Sequence, residues 1–93
     1  MAQTYTIGVL GGTGQEGSGL ALRLAKAGHN VILGSRDPAR AAAAAEQMKA
    51  EIATARVSGA SNKEAAAAAD IVMLTVPFSA QRATVEDVRN ELS

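Results

Sequence analysis

The chain has no cysteine and no tryptophan, and only one histidine, one tyrosine, one phenylalanine and two prolines among 93 residues. Without cysteine there is no disulfide, no thiolate nucleophile and no cysteine-ligated metal. His29 alone does not build a histidine-based metal site. Tyr5 and Phe78 are too few to form a stacking platform for single-stranded nucleic acid. Neither sign of charge dominates: nine Lys and Arg offset nine Asp and Glu. That balance argues against a general binder of nucleic acid or anionic membranes. No apolar run is long enough for a transmembrane helix, and the opening Met-Ala-Gln-Thr lacks the basic region of a signal peptide. The expectation is a cytoplasmic protein with no nucleic-acid or membrane partner.

What the chain does have is glycine at chosen places and a steady alternation of apolar runs with alanine-rich stretches. Its length allows one small domain, residues 1–93, of marginal stability. Thr4 to Leu10 reads as a strand apolar on both faces, as in a sheet covered by helices on each side. Gly14 to Ala27 reads as a helix with Leu20, Leu24 and Ala27 on one stripe, backed by Ala21 and Ala25. Gly28 stands where a helix-ending glycine belongs. A second strand spans Asn30 to Gly34. Asp37-Pro38 then supplies an N-cap oxygen followed by proline at the first helical position. The second helix is predicted to run to about Thr54. Arg56 to Ser58 gives a brief third strand. Ser61-x-x-Glu64 has the form of a capping box for a short helix over Ala65–Ala69. Ile71 to Val76 is the fourth strand, and Ser79 is placed as cap of a last helix with Val85, Val88 and Leu92 inward.

Strand and helix therefore alternate four times. Such alternation predicts an α/β fold with a doubly wound parallel sheet, strands in the order 3-2-1-4. The chain stops where a fifth strand would begin, so the fold is expected to be incomplete and the chain the N-terminal part of a longer protein. The unpaired edge beside the fourth strand would then favour self-association.

The motif with chemical content sits between the first strand and first helix. Gly12, Gly14 and Gly17 fit G-x-G-x-x-G, which follows a strand, opens a helix and lies inside a βαβ unit. Gly12 permits the tight turn, Gly14 lets a pyrophosphate approach the backbone, and Gly17 lets the helix lie near the strand. The free N–H groups at the helix start, including those of Gln15 and Glu16, suit the phosphate charge. The Thr13 hydroxyl is suited either to a phosphate oxygen or to its own backbone in the turn.

About 20 residues on, the second strand ends in Ser35-Arg36, where an NAD-binding domain usually carries an acid. A guanidinium matches phosphate oxygens in a planar fork. Ser35 adds a hydroxyl and Arg40 lies one turn into the next helix. The pattern points to NADP(H). Asp37 competes for the ribose, but capping with Pro38 explains it more simply. Val76 and Pro77 end the fourth strand, where an apolar floor beneath the nicotinamide is expected. No nucleophile–base pair and no carboxylate pair is visible, so no catalytic side chain and no metal ligand is assigned. That is compatible with hydride transfer, in which the cofactor carries the reactive atom.

The whole chain resembles the N-terminal domain of the NADPH-dependent F420 reductases, also called F420-dependent NADP oxidoreductases. The carriers are Gly11-Gly12-Thr13-Gly14-Gln15-Glu16-Gly17, Gly19-Leu20-Ala21-Leu22-Arg23-Leu24-Ala25, Ala27-Gly28-His29, Gly34-Ser35-Arg36 and Leu74-Thr75-Val76-Pro77. The resemblance implies a Rossmann domain binding NADP, with Thr13, Gly14, Gln15 and Glu16 along the pyrophosphate. It puts Ser35, Arg36 and Arg40 on the 2′-phosphate and Val76 beside the nicotinamide. It implies hydride transfer between NADPH and the deazaflavin coenzyme F420, or a related flavin-like acceptor. A C-terminal domain, absent here, would complete the deazaflavin site, and the full-length form would be a homodimer. Two alternatives stand beside it. One is an atypical short-chain dehydrogenase or NmrA-like protein, which usually places an aspartate after the third strand; Ser58-Gly59-Ala60-Ser61 offers none. The other is a non-catalytic NADP-binding sensor.

Overall fold

The computed structural model describes residues 4–11, 15–52, 56–75 and 78–89, with residues 15, 16 and 78–80 described by backbone alone. The elements follow one another as β1 (Thr6–Leu10), α1 (Gln15–Lys26), β2 (Asn30–Ser35), α2 (Pro38–Glu51), β3 (Arg56–Ser61), α3 (Asn62–Ala68), β4 (Ile71–Leu74) and α4 (Phe78–Val88). The sheet is parallel throughout, in the order β3-β2-β1-β4. The predicted doubly wound α/β arrangement is therefore the observed one. Among the described residues no helix is long and apolar enough to cross a membrane.

Period-two alternation sends neighbouring strand residues to opposite faces. Ile7, Val9, Val31, Leu33 and Val57 meet Ala21 and Ala25 of α1 and Ala41, Ala45 and Met48 of α2 in one core layer. Leu10 and the half-buried Ile32, Val72 and Leu74 meet Ala65 and Ala66 of α3 and Val88 of α4 in the other. Alanine dominates the helix side of both layers. The sheet is consequently approached closely, and glycine is needed where the approach is closest. A Cβ on Gly8 would lie 2.9 Å from the Ala65 carbonyl oxygen.

Local signals place most boundaries. Asp37 caps α2, its Oδ1 accepting from the Ala39 and Arg40 N–H groups at 3.1 and 3.4 Å. Ser61 and Glu64 form the reciprocal capping box of α3. Gly28 follows α1 at φ +95°, a left-handed backbone suited to glycine. At the amino edge of the sheet, His29 Nδ1 accepts from the Tyr5 N–H at 3.1 Å and Asp70 Oδ2 from the Thr6 N–H at 3.0 Å. Both side chains thus serve the entry of β1.

Several expectations need correction; among them, α2 ends at Glu51 rather than about Thr54, and β4 at Leu74 rather than Val76. β3 extends to Ser61, because parallel pairing with β2 runs through Ser35↔Ser61 despite the small, polar sequence. The buried centre of α1 is Ala21 and Ala25; Leu20 and Leu24 are half-buried at its margins and Ala27 is exposed. Ser79 is the second residue of α4 rather than its cap. The inner stripe of α4 is Gln81, Thr84 and Val88, while Val85 is 41% exposed. Apolar spacing misplaced that face because two of its three positions are polar. Leu92 lies outside the described residues.

Gly19 lies inside α1, and a Cβ added to it would meet open space. It lines, with Leu22, Ala44 and Met48, a groove of about 270 Å³ between α1 and α2. Gly19→Ala is expected to raise stability by about 1 kcal/mol, since alanine restricts the unfolded chain and is the better helix former. A denaturation curve with an unchanged midpoint would contradict this.

Candidate functional site

Register brings four strand ends together. Leu10 pairs with Gly34 and with Leu74, and Ser35 pairs with Ser61. Gly11, Arg36, Asn62 and Thr75, which directly follow the strand ends, lie at the carboxyl edge of the sheet, where open α/β sheets bind ligands. The chain leaves β1 through Gly11, at φ +76°, whose N–H donates to the Gly34 carbonyl at 2.9 Å. This glycine, to which sequence reasoning assigned no role, makes a turn out of the strand. Gly12, Thr13 and Gly14 lie outside the described residues. α1 then opens at Gln15 and Glu16, and Gly17 is buried in its first turn. The first N–H groups of any helix have no intrahelical acceptor.

One strand over, Ser35 closes β2 and is 8% exposed. Its Oγ accepts from the Asp37 N–H at 3.1 Å, which leaves the hydroxyl hydrogen for another acceptor. Arg36 and Arg40 flank the capped start of α2 and are both exposed. Among the described residues neither enters an ion pair; the pairs are Lys49–Glu46, Lys63–Asp87 and Arg82–Glu86. Two guanidinium groups at the positive end of a helix dipole are unfavourable by themselves. An anion between them would reverse the sign of that interaction. Ser35 thus ends β2, and Arg36 and Arg40 lie just before and within the first turn of α2.

On the other side of β1, Thr75 ties the end of β4 to Leu10: its Oγ1 donates to the Leu10 carbonyl at 2.7 Å and its N–H at 3.0 Å. Val76 and Pro77, next in the chain, lie outside the described residues.

Sequence reasoning also missed Asn62. It is the first residue of α3 and is 5% exposed, and its buried Oδ1 has no hydrogen-bond partner. A buried acceptor left unpaired costs about 1–3 kcal/mol. A Cβ on Gly34 would sit 2.8 Å from this oxygen. The residue was visible only as a spacer in the Ser61–Glu64 box. A polar side chain at the first position of a helix that leaves a strand end was the available signal.

The sheet order, the opening of α1 and the cationic corner after β2 are those of a Rossmann-type domain. Residues 6–93 match the profile of the family described as NADP oxidoreductase, coenzyme F420-dependent, and the chain belongs to that family. It is 51% identical over 88 residues to the F420-dependent NADP reductase of Methanothermobacter marburgensis, covering 92% of this chain and 39% of that protein. The Methanothermobacter thermautotrophicus reductase is 51% identical over 89 residues, and that of Methanocaldococcus jannaschii 42% over 91. The chain spans about two fifths of the length of the curated relatives it matches.

Proposed function

We propose that this chain is the NADP-binding part of an oxidoreductase that moves hydride between NADPH and coenzyme F420. The observation that carries the cofactor reading is the corner after β2: a buried serine hydroxyl and two arginines without ion pairs among the described residues, set about the start of α2. Such donors fit a 2′-phosphate. In the proposal Ser35, Arg36 and Arg40 hold that phosphate. Gly12, Thr13, Gly14 and Gly17, with the N–H groups of Gln15 and Glu16, receive the pyrophosphate. Val76 and Pro77 floor the nicotinamide. The dinucleotide supplies the transferable hydride, and the chain orients it. The acceptor follows from family membership and from the relatives' activity, which their names state. Residues 1–93 as one NADP-binding unit, small molecules as its ligands, a cytoplasmic location and a homodimeric full-length form belong to the same reading.

The test is a titration of the chain with NADPH and with NADH, followed by NADPH oxidation with F420 or with free flavins in a full-length version. NADPH is expected to bind at least tenfold more tightly than NADH, by the worth of one charge-assisted contact, about 1.5 kcal/mol. Equal affinity would overturn the cofactor reading. Oxidation by flavins and not by F420 would overturn the acceptor alone.

A further inference from the structure

Asn62 sits at the carboxyl edge for a reason that packing does not supply. Its Oδ1 is buried without a donor, 2.8 Å from the point where a Cβ on Gly34 would sit. Leucine has nearly the same size and would rest there with no polar atom to satisfy. The position is also specific. Asn62 follows Ser61, the register partner of Ser35, and Ser35 precedes Arg36. Asn62 therefore follows the strand end next to that of β2, and its unpaired oxygen lies with Leu10 and Ala65 on the α3 side of Gly34.

We propose that Asn62 is a specificity residue whose carboxamide oxygen accepts a hydrogen bond from the adenosine half of the bound dinucleotide. This rests on the NADP reading of the same edge. Once the 2′ oxygen is phosphorylated, that half carries two neutral donors, the ribose 3′-hydroxyl and the adenine 6-amino group. Either is chemically suited to the oxygen. The terminal torsion of asparagine is broad, so the oxygen turns to the edge without movement of α3. Gly34 has a matching role: it leaves the room in which the carboxamide stands.

The experiment measures affinity and melting together in the wild-type chain and in Asn62→Leu. Ligands are NADPH, its hypoxanthine analogue lacking the 6-amino group, and its 3′-deoxy analogue. The variant is expected to melt about 5 °C higher, because the unpaired oxygen is gone, and to bind NADPH about tenfold more weakly. One of the two analogues should bind the wild type about tenfold more weakly than NADPH and lose nothing further in the variant; that analogue names the donor. A variant that melts lower and binds NADPH as well as the wild type would make Asn62 a structural prop and overturn the proposal. So would a wild type that binds both analogues as tightly as NADPH, a measurement that needs no variant to fold. A wild type that binds no NADPH would overturn the cofactor reading together with this one. NADPH affinity lost in Arg36→Glu yet intact in Asn62→Leu would overturn this one alone.

Discussion

Gly59→Ala is expected to destabilise the domain strongly under conditions where Gly19→Ala strengthens it. The chemical change is identical, one methyl group, and the surroundings decide the sign. Gly59 lies in β3, paired with Leu33, and the methyl would overlap the Ala41 carbonyl and the Ala42 nitrogen of α2. Those are backbone atoms of a 14-residue helix and have no rotamer to escape into. α2 would have to move off the sheet, taking Ala41, Ala45 and Met48 away from Val31, Leu33 and Val57. Overpacking of a core costs typically 1–3 kcal/mol, and displacement of a whole helix puts this site at about 3 kcal/mol or more. A domain of this size holds roughly 5–14 kcal/mol in all. The melting midpoint should fall by about 15 °C. A midpoint within two or three degrees of the wild type, on the order of 0.5 kcal/mol, would mean that α2 does not pack on β3 as described.

The same residue shows why part of the fold was hard to read. Ser58, Gly59 and Ser61 carry little strand propensity, yet β3 includes all of them. The strand is held there by pairing with β2 and by close approach of α2, both tertiary effects. α4 is the second case: Gln81 and Thr84 occupy its inner face, so apolar spacing pointed elsewhere. Elements with their own local chemistry were legible. Asp37-Pro38, the Ser61–Glu64 box and Gly28 each satisfy or release backbone groups at a helix end, and that signal survives without knowledge of the partners. The candidate site divides in the same way. Ser35, Arg36 and Arg40 were singled out because their position after the second strand is readable from the chain. Asn62 was not, because its interest lies in an oxygen left without a partner by residues 28 and more positions away in the chain. Asn62 and Gly34 form one spatial unit that periodicity does not report.

Arg36→Glu is expected to abolish the preference for NADPH while leaving the fold intact. Arg36 is exposed and has no ion pair among the described residues, so its removal breaks no packing. A carboxylate just before the Asp37 cap also suits the positive end of α2, an effect of about 0.3–1 kcal/mol. Stability should therefore hold or rise slightly. Toward the ligand the change is opposite. In the proposed site the glutamate would withdraw a charge-assisted hydrogen bond from the 2′-phosphate and set a like charge beside it. It also offers an acceptor to the free 2′-hydroxyl of NADH. The lost contact alone amounts to about 1.5–3 kcal/mol, or roughly 10- to 150-fold in NADPH affinity, while NADH should bind as before or better. Arg40 remains and its guanidinium still attracts the phosphate, so Arg40→Ala added to Arg36→Glu should widen the loss. Calorimetric titration of both dinucleotides, with a thermal melt of each variant, separates binding from folding. An Arg36→Glu protein that melts like the wild type and keeps its NADPH-over-NADH ratio would place the 2′-phosphate somewhere other than the end of β2. The assignment of Ser35 and Arg40 would fall with it, since all three residues depend on that one corner.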